Sequence, residues 1–201
     1  MQSLQELIDA TPEGGILQLG EASYKENIVI SKNIKIVGLF IKKDNHNLDE
    51  GIKTHIEGKL TINAPSPVFE NCYFDFQDST CIIEKGICPK FTKCFFCGNE
   101  LIFDIKGEST NPSFTICHFC GDEDNAGIVF SGGAQGSLDE CFSNPFCGVL
   151  IKGNGTNPRF CNCQFSCLRE NALKIENGAQ GYFENSHFCC EYDDVDFTNV
   201  D

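Results

Sequence analysis

The residues best suited to chemistry in this chain are its fourteen cysteines, and two pairs of them have the spacing of a metal site. Cys94 and Cys97 are separated by two residues, and Cys117 and Cys120 repeat that spacing 19 residues later. Two such pairs can supply the four thiolates of a tetrahedral zinc site. Whether the four sulfurs converge depends on the elements that carry them.

Acidic stretches and histidines are the next candidates for ligand binding. Residues 122–124 and 191–196 are rich in carboxylates, which bind calcium, but neither stretch has the spacing of a calcium loop. We interpret them as a solvated turn and an acidic tail. The histidines are widely separated and are interpreted as surface residues: His46, His55, His118 and His187. Asn154 begins a glycosylation sequon, which matters only in a secreted chain.

The charge of the chain restricts its classes of partner. The 201 residues carry a formal net charge of −14, with 29 acidic and 15 basic side chains. Nucleic-acid binding depends on neutralising phosphates with Lys and Arg, so a nucleic-acid partner is not expected. Residues 101–201 hold 15 acidic but only 5 basic side chains, which favours a basic partner over a polyanion.

Hydrophobicity and the N-terminal sequence bear on the compartment. Hydrophobic residues make up 41% of the chain, enough for a core, yet no apolar run approaches the roughly 18 residues of a transmembrane helix. Residues 1–15 have neither a basic flank nor an apolar stretch, so no signal peptide is visible. We therefore expect no membrane association, a cytoplasmic or nuclear location, and reduced cysteines.

A repeat of 22 to 24 residues organises the chain from residue 67 onwards. Six large apolar residues recur at these intervals: Phe69, Phe91, Phe114, Leu138, Phe160 and Phe183. Three positions after each of them stands a small residue: Cys72, Cys94, Cys117, Cys141, Cys163 and Ser186. Gly, Pro and Asn interrupt the sequence every 8–12 residues, which leaves room for short strands but not for paired helices. A parallel β-solenoid satisfies both observations.

Both recurring positions can face the interior only if the chain turns a corner between them. Asn71, Asn162 and Asn185 stand two residues after the recurring Phe, and Asn tolerates the left-handed conformation of such a corner. The interior is then predicted to hold stacked columns of Phe and of reduced, buried Cys.

This arrangement argues against a zinc site. Cys94 and Cys117 would face the interior, whereas Cys97 and Cys120 follow an inward Phe and would face outward or into a turn. Four sulfurs on two sides of a sheet cannot surround one zinc ion. Disulfides along the interior column are not expected either, because its five cysteines are an odd number and no secretion signal is visible. We assign no metal and no cofactor.

Residues 1–201 are predicted to form one β-helix domain. Residues 1–15 are its N-terminal cap, in which a short amphipathic helix begins after Ser3 and Glu6 completes a capping box. Residues 38–54 break the repeat as a longer loop, and residues 67–201 form regular coils.

Residues 6–38, ELIDATPEGGILQLGEASYKENIVISKNIKIVG, resemble the opening of right-handed parallel β-helix proteins of the pectin-lyase-like superfamily. The residues that carry the resemblance are Gly14, Gly15, Ile16, Leu19, Gly20, Tyr24, Glu26, Ile28, Ile30, Ile34, Ile36 and Gly38. The later coils resemble the repeat region of F-box ubiquitin-ligase adaptors and related intracellular β-helix proteins. The resemblance implies an all-β fold, a single-stranded right-handed parallel β-helix of about eight coils. It implies no single function, because this fold hosts lyases, hydrolases, lectin-like modules and scaffolds.

Enzymes of this fold need paired acids, which the repeat does not supply. Glycoside hydrolases place two carboxylates about 5–9.5 Å apart, which on a solenoid means outward acids on adjacent coils. The outward position after the recurring Phe holds no two acids in succession: Glu70, Thr92, Thr115, Asp139, Cys161 and Glu184. Lyases of the superfamily use an Arg or Lys base beside calcium-binding Asp residues, but Arg159 and Arg169 are predicted in a turn and a loop. No catalytic residue is assigned, and a non-enzyme is favoured.

Two functions therefore compete. The first is a non-catalytic recognition or scaffold module that binds an unidentified protein partner through an outer sheet face or the loop of residues 38–54. The second is a carbohydrate-binding or carbohydrate-active protein, although the chain has no Trp and only four Tyr for sugar stacking. We expect a monomer whose C-terminal end is either capped by the acidic run or exposed as its most association-prone surface. Four charges would blunt such association: Asp193, Asp194, Asp196 and Asp201.

Overall fold

The computed structural model describes residues 2–41, 51–99, 101–121, 126–144, 147–167, 172–190 and 194–197. A short N-terminal helix, α1 (Leu4–Ala10), precedes the strands. The first twelve strands are β1 (Ile16–Gln18), β2 (Ala22–Lys25), β3 (Ile28–Ile30), β4 (Lys35–Val37), β5 (Thr54–Glu57), β6 (Leu60–Ile62), β7 (Val68–Glu70), β8 (Tyr73–Asp75), β9 (Cys81–Ile83), β10 (Lys90–Thr92), β11 (Phe95–Gly98) and β12 (Phe103–Lys106). The remaining strands are β13 (Ser113–Thr115), β14 (His118–Gly121), β15 (Ala126–Ser131), β16 (Ser137–Asp139), β17 (Phe142–Ser143), β18 (Gly148–Lys152), β19 (Arg159–Cys161), β20 (Gln164–Cys167), β21 (Leu173–Glu176), β22 (Tyr182–Glu184), β23 (Ser186–Cys190) and β24 (Asp194–Phe197).

The strands of successive coils stack into long parallel sheets, which confirms the all-β solenoid. Sheet I has the order β1-β4-β7-β10-β13-β16-β19-β22, so its eight strands enclose about seven turns. Sheet II has the order β2-β5-β8-β11-β14-β17-β20-β23-β24, and sheet III the order β9-β12-β15-β18-β21. The strands β3 and β6 form a separate pair at the N-terminal end of the third side.

The predicted corner between sheets I and II is confirmed. Asn71, Asn162 and Asn185 have φ angles of 57°, 53° and 48°, in the left-handed region. The equivalent positions of other coils adopt the same conformation without Asn, and one of them is Ile116, with φ 54°. A β-branched residue disfavours this conformation, so the stacked neighbours impose the corner where the local sequence does not favour it.

The interior consists of stacked aromatic columns. Phe91 lies between Phe69 and Phe114 in sheet I, with ring centroids 4.9 and 5.1 Å away and nearly parallel planes. Phe96, in sheet II of the same coil, meets Phe91 edge to face at 5.2 Å. Stacking along the solenoid axis and edge contacts across it are both favourable ring geometries. The predicted Phe columns are therefore a major part of the core, and buried aliphatic side chains such as Ile36 and Ile56 take their place in the first coils.

The predicted interior column of thiols is also confirmed. Its five cysteines are buried and free of disulfides: Cys72, Cys94, Cys117, Cys141 and Cys163. Each thiol donates to the carbonyl two residues earlier, as Cys117 Sγ does to Thr115 O at 3.4 Å. Ser186 takes the next place in the column, donating from Oγ to Glu184 O at 3.0 Å and accepting from Cys163 N at 3.2 Å.

The N-terminal cap forms as predicted. Ser3 is the N-cap of α1, and Glu6 completes the capping box. The carboxylate of Glu26, in the first coil, also accepts hydrogen bonds from the backbone N–H groups of Leu4 at 2.7 Å and Gln5 at 3.2 Å. Leu4 and Ile8 are buried in the core, so the helix covers the N-terminal end of the stack.

The longer loop of residues 38–54 is described only at its base, because residues 42–50 lie outside the described part of the chain. The two ends approach each other through an antiparallel bridge between Phe40 and Ile52. Buried Thr54 anchors them: its Oγ1 donates to Gly20 O at 2.7 Å and accepts from Leu39 N at 2.8 Å. The loop thus leaves the coil and returns to it at one point.

At the C-terminal end the chain folds back, one of the two alternatives expected for the acidic run. The strand β24 pairs antiparallel with β23 and becomes the last strand of sheet II. The residues before and after β24, including Asp193 and Asp201, lie outside the described part. The association-prone character of this end stays a prediction.

Candidate functional site

Because side chains fill the interior, a binding site must lie on an outer surface. On sheet I the outward residues of β16, β19 and β22 form a cluster that we call the face I cluster: Asp139, Arg159, Cys161, Tyr182 and Glu184. The strand register places Arg159 beside Tyr182, and Cys161 between Asp139 and Glu184. The prediction that Arg159 lies in a turn is therefore wrong. Pairing with β16 and β22 makes Arg159 the first residue of β19, directly after Pro158.

Arg159 organises this cluster. Its Nη2 atom lies 3.0 Å from Glu184 Oε2, and its Nε donates to Cys161 Sγ at 3.0 Å. These two acceptors, Cys161 first, raise the pKa of the guanidinium. The guanidinium also lies 4.8 Å from the centre of the Tyr182 ring, within the range of a cation–π contact. Tyr182 Oη donates to Glu184 Oε2 at 3.4 Å, which fixes the ring as well.

An open cleft extends from this cluster across the neighbouring coils. Within it, Asn162 Nδ2 donates to Asp139 Oδ1 at 3.3 Å. Side chains at the edge are exposed, 57% for Arg159 and 45% for the residue Tyr182. The cleft is lined by Thr115, Ser137, Leu138, Asp139, Arg159, Cys161, Asn162 and Glu184. Its chemistry is that of fixed charges and hydrogen-bonding groups rather than an apolar pocket.

The two acids of this cleft lie on alternate coils rather than on adjacent ones. The register confirms that Asp139 and Glu184 share a column with Cys161 between them. Two strand spacings of ~4.8 Å place the two acids roughly 9.6 Å apart, at the upper end of what paired carboxylates use. The carboxylate of Glu184 is moreover engaged by the guanidinium of Arg159 in an ion pair.

Sheet II carries an outward column of rings that the sequence analysis missed. His55 stacks on Tyr73 at 4.6 Å, and Tyr73 stacks on Phe95 at 4.7 Å. His118 follows at 4.6 Å from Phe95, and Phe142 at 4.5 Å from His118. The sequence signal for this column is the fourth position after each recurring residue, although the residue type there differs from coil to coil. His187 stands three coils beyond His118 in the same column, as predicted.

The next outward column of sheet II contains two of the four cysteines of the candidate zinc pattern. Cys97 and Cys120 are direct register partners on β11 and β14 and are half-buried. Cys94 and Cys117 are fully buried in the interior column. The sulfurs therefore lie on two sides of the sheet, as predicted, and do not surround one point. No cluster of three or more His, Cys, Asp or Glu side chains with metal-binding geometry occurs in the described ranges.

Other sequence candidates fall outside the described residues. These are the acidic residues 122–124 and 191–193, together with His46 and Arg169. Among the helices that are described, none has the length and apolar character needed to cross a lipid bilayer.

Comparison with family models, curated proteins and solved structures finds no match to this chain. The likeness to pectin-lyase-like and F-box adaptor β-helices is therefore a resemblance of motifs. What the structure establishes is the parallel solenoid and the positions of its outer side chains.

Proposed function

We propose that this protein is a non-catalytic recognition module of the parallel β-helix type, which binds a protein partner through the outer face of sheet I. The observation that carries the proposal is the exposed Arg159–Tyr182 pair at the edge of an open cleft. Arg and Tyr are among the residues that dominate the energetics of protein interfaces. Glu184 holds both side chains in place, so little conformational entropy is lost when a partner binds.

Charge indicates the partner's chemistry. The second half of the chain has three times as many acidic as basic side chains, and Asp139 and Glu140 are exposed beside the cleft. Arg159 neutralises only part of this negative charge. We therefore propose a partner with a basic binding segment, whose association is accelerated by long-range attraction and weakened by salt.

Carbohydrate binding has less support from the geometry. Sugars stack on the free faces of aromatic rings, but Tyr73 has ring neighbours on both sides along the solenoid axis, His55 and Phe95. Both faces of the Tyr73 ring are therefore covered by its neighbours. The exposed Tyr182 has Arg159 over one face. The motif resemblance is compatible with adaptors as well as with carbohydrate-active enzymes, so it does not favour the second function.

Selection of a peptide-display library against the native protein tests the proposal, because a random library contains basic segments of many sequences. We expect enrichment of peptides rich in Lys and Arg. Tyr182→Ala should weaken their binding at least tenfold, which corresponds to about 1.4 kcal/mol, in fluorescence anisotropy. Raising the ionic strength from about 0.05 to 0.3 M should weaken it further. Ile82→Ser is the matched control, because Ile82 is a comparably exposed residue (43%) on sheet III.

Two results would overturn this function. One is binding that Tyr182→Ala and Ile82→Ser affect equally, which would move the interface away from sheet I. The other is release of reducing sugars from a panel of polysaccharides, with the activity lost in Glu184→Gln. That result would establish the carbohydrate-active alternative.

A further inference from the structure

The two outward cysteines of sheet II form a thiol pair that no part of the proposed function uses. Cys97 and Cys120 are directly opposite each other on parallel strands, and their side chains are hydrogen-bonded. Both are half-buried, so small solutes can reach them. The strand spacing of ~4.8 Å puts their Cα atoms within the 4.4–6.8 Å range that a disulfide requires.

The hydrogen bonds around the pair all favour a negative charge on Cys97. Cys97 Sγ accepts from the Cys120 thiol and the Tyr73 hydroxyl, and the backbone N–H of Gly98 contributes in the same direction. Cys120 Sγ itself accepts from Asn144 Nδ2 at 3.1 Å, which strengthens its own donor role. Asn144 thus donates to Cys120, and Cys120 in turn donates to Cys97.

These donors outweigh the groups that oppose ionisation. The hydrogen bond from Cys120, followed by that from Tyr73, lowers the pKa of Cys97 to about 7, although partial burial and the neighbouring Asp75 raise it. Cys97 is therefore partly ionised near neutral pH, and the thiolate is the nucleophilic form. Tyr73 responds in the opposite sense: burial, then the charge of Cys97, raises its pKa. His118 lies in the adjacent outward column. The pKa of the buried Cys147 thiol is raised by burial first and, to a smaller extent, by the charges of Cys167 and Cys97.

We propose that Cys97 and Cys120 are an oxidisable dithiol that reacts with low-molecular-weight disulfides such as oxidised glutathione. Cys97 thiolate attacks one sulfur of the disulfide, forms a mixed disulfide and releases one glutathione thiolate, which solvent protonates. Cys120 then loses its proton to solvent and attacks the Cys97 sulfur, which releases the second glutathione. The two protein thiols are oxidised by two electrons, and one glutathione disulfide is reduced to two thiols.

The fold makes this reaction selective and reversible. The interior cysteines share the same coil spacing, but a solute as large as glutathione cannot reach them. Parallel register partners hold their Cβ atoms about 4.8 Å apart, whereas a disulfide prefers about 3.8 Å. The strands must move closer when the bond forms, and a strained disulfide that solutes can reach is readily reduced.

The first experiment treats the native protein with oxidised glutathione, blocks the free thiols and maps peptides after cleavage at lysine. We expect the peptide of residues 94–106 to be linked to that of residues 107–152. Cys120→Ser should abolish the link and leave glutathione on Cys97, and Cys97→Ser should abolish both products. Cys88→Ser should change neither. Cys88 is a matched control because it is half-buried and its thiol donates to Gly86 O at 3.3 Å instead of accepting.

The second experiment measures the alkylation rate of Cys97 between pH 5 and 10. We expect a midpoint near 7, and Tyr73→Phe should move it upward by roughly 0.5–1 pH unit because one donor is lost. A link that survives in Cys120→Ser, or a Cys97 that reacts at the rate and midpoint of Cys88, would overturn the proposal. Failure here leaves the recognition function untouched, because the sheet I interface does not involve these thiols.

Discussion

The interior thiol column and the outward thiol pair show how one residue type acquires opposite properties within a single coil. Cys94 and Cys97 are three residues apart, yet one is buried in the core and the other reaches the solvent. Interior thiols donate to backbone carbonyls, and burial raises the pKa of Cys72 and Cys117. Cys141 is the exception within the column: burial raises its pKa, but hydrogen bonds from the thiols of Cys117 and Cys163 outweigh burial and lower it. Cys97 accepts hydrogen bonds, and its pKa is lowered. Position relative to the sheet decides whether a thiol packs or reacts.

Alkaline pH should have the largest effect, because it lowers the free energy of unfolding through the buried thiols and not through the outward pair. Burial raises the pKa of Cys81 and Cys147 above the value of an unfolded thiol. Above roughly pH 8.5 the unfolded chain therefore loses protons that the folded chain keeps, and the free energy of unfolding falls as the pH rises. Each such thiol contributes a loss of about 1.4 kcal/mol per pH unit. Urea unfolding at pH 8, 9 and 10 under reducing conditions measures the sum.

The variant Cys81→Ala is the control for this prediction. It removes one buried thiol. The free energy of unfolding of this variant should therefore fall with pH by about 1.4 kcal/mol per unit less than that of the native protein. A free energy of unfolding that is the same at pH 8 and pH 10 would contradict the assignment of these thiols to a dry interior.

Breaking the interior itself should have the next largest effect. Phe114 is fully buried and lies 5.0–5.6 Å from the rings of Phe91, Phe103 and Phe119. Phe114→Ala should lower the free energy of unfolding by about 3–5 kcal/mol because it leaves a cavity. Maleimide should then label the interior cysteines, which we expect to be protected in the native protein because they are buried. Phe142→Ala, on the outward ring column, should cost under about 1.5 kcal/mol and leave them protected. Similar losses of unfolding free energy in the two variants would contradict the conclusion that the inward ring column stabilises the protein more than the outward one.

The smallest expected effect is a difference in stability between serine variants at two interior cysteines, Cys117 and Cys81. Cys117→Ser keeps the donor to Thr115 O, and the hydroxyl can adopt the geometry of Ser186, so the loss should stay below about 1 kcal/mol. Burial alone raises the pKa of Cys81, which indicates an apolar surrounding without a polar partner. Cys81→Ser should therefore cost about 1–3 kcal/mol. Chemical denaturation at pH 7 compares the two, and equal losses would contradict the special role of the carbonyl acceptor.

Much of the fold could be predicted because each coil repeats the same requirement. The intervals of 22 to 24 residues between Phe69, Phe91 and Phe114 predict columns, and those residues are register partners in sheet I. The Cys column follows once a corner is placed at Asn71 or Asn162. Because the coils repeat, every residue lies next to its equivalent in the next coil. A local sequence pattern is therefore sufficient to predict the inward columns.

The candidate sites could be predicted much less well, because their members are chemically unlike one another. His55, Tyr73 and Phe95 share no residue type, so only the strand register shows that they form one column. Arg159 follows a proline and an asparagine, which locally favour a turn, yet hydrogen bonds to both neighbouring coils extend the sheet to it.

The sequence by itself determined the period, the inward Phe and Cys columns and the helical cap, because hydrophobic spacing and capping residues act locally. Only the tertiary structure decided which outward side chains meet. The contact of Arg159 with Tyr182 and the hydrogen bond between Cys97 and Cys120 each join residues 23 positions apart. Such contacts depend on a lateral spacing of ~4.8 Å between strands, which no local pattern of residues encodes.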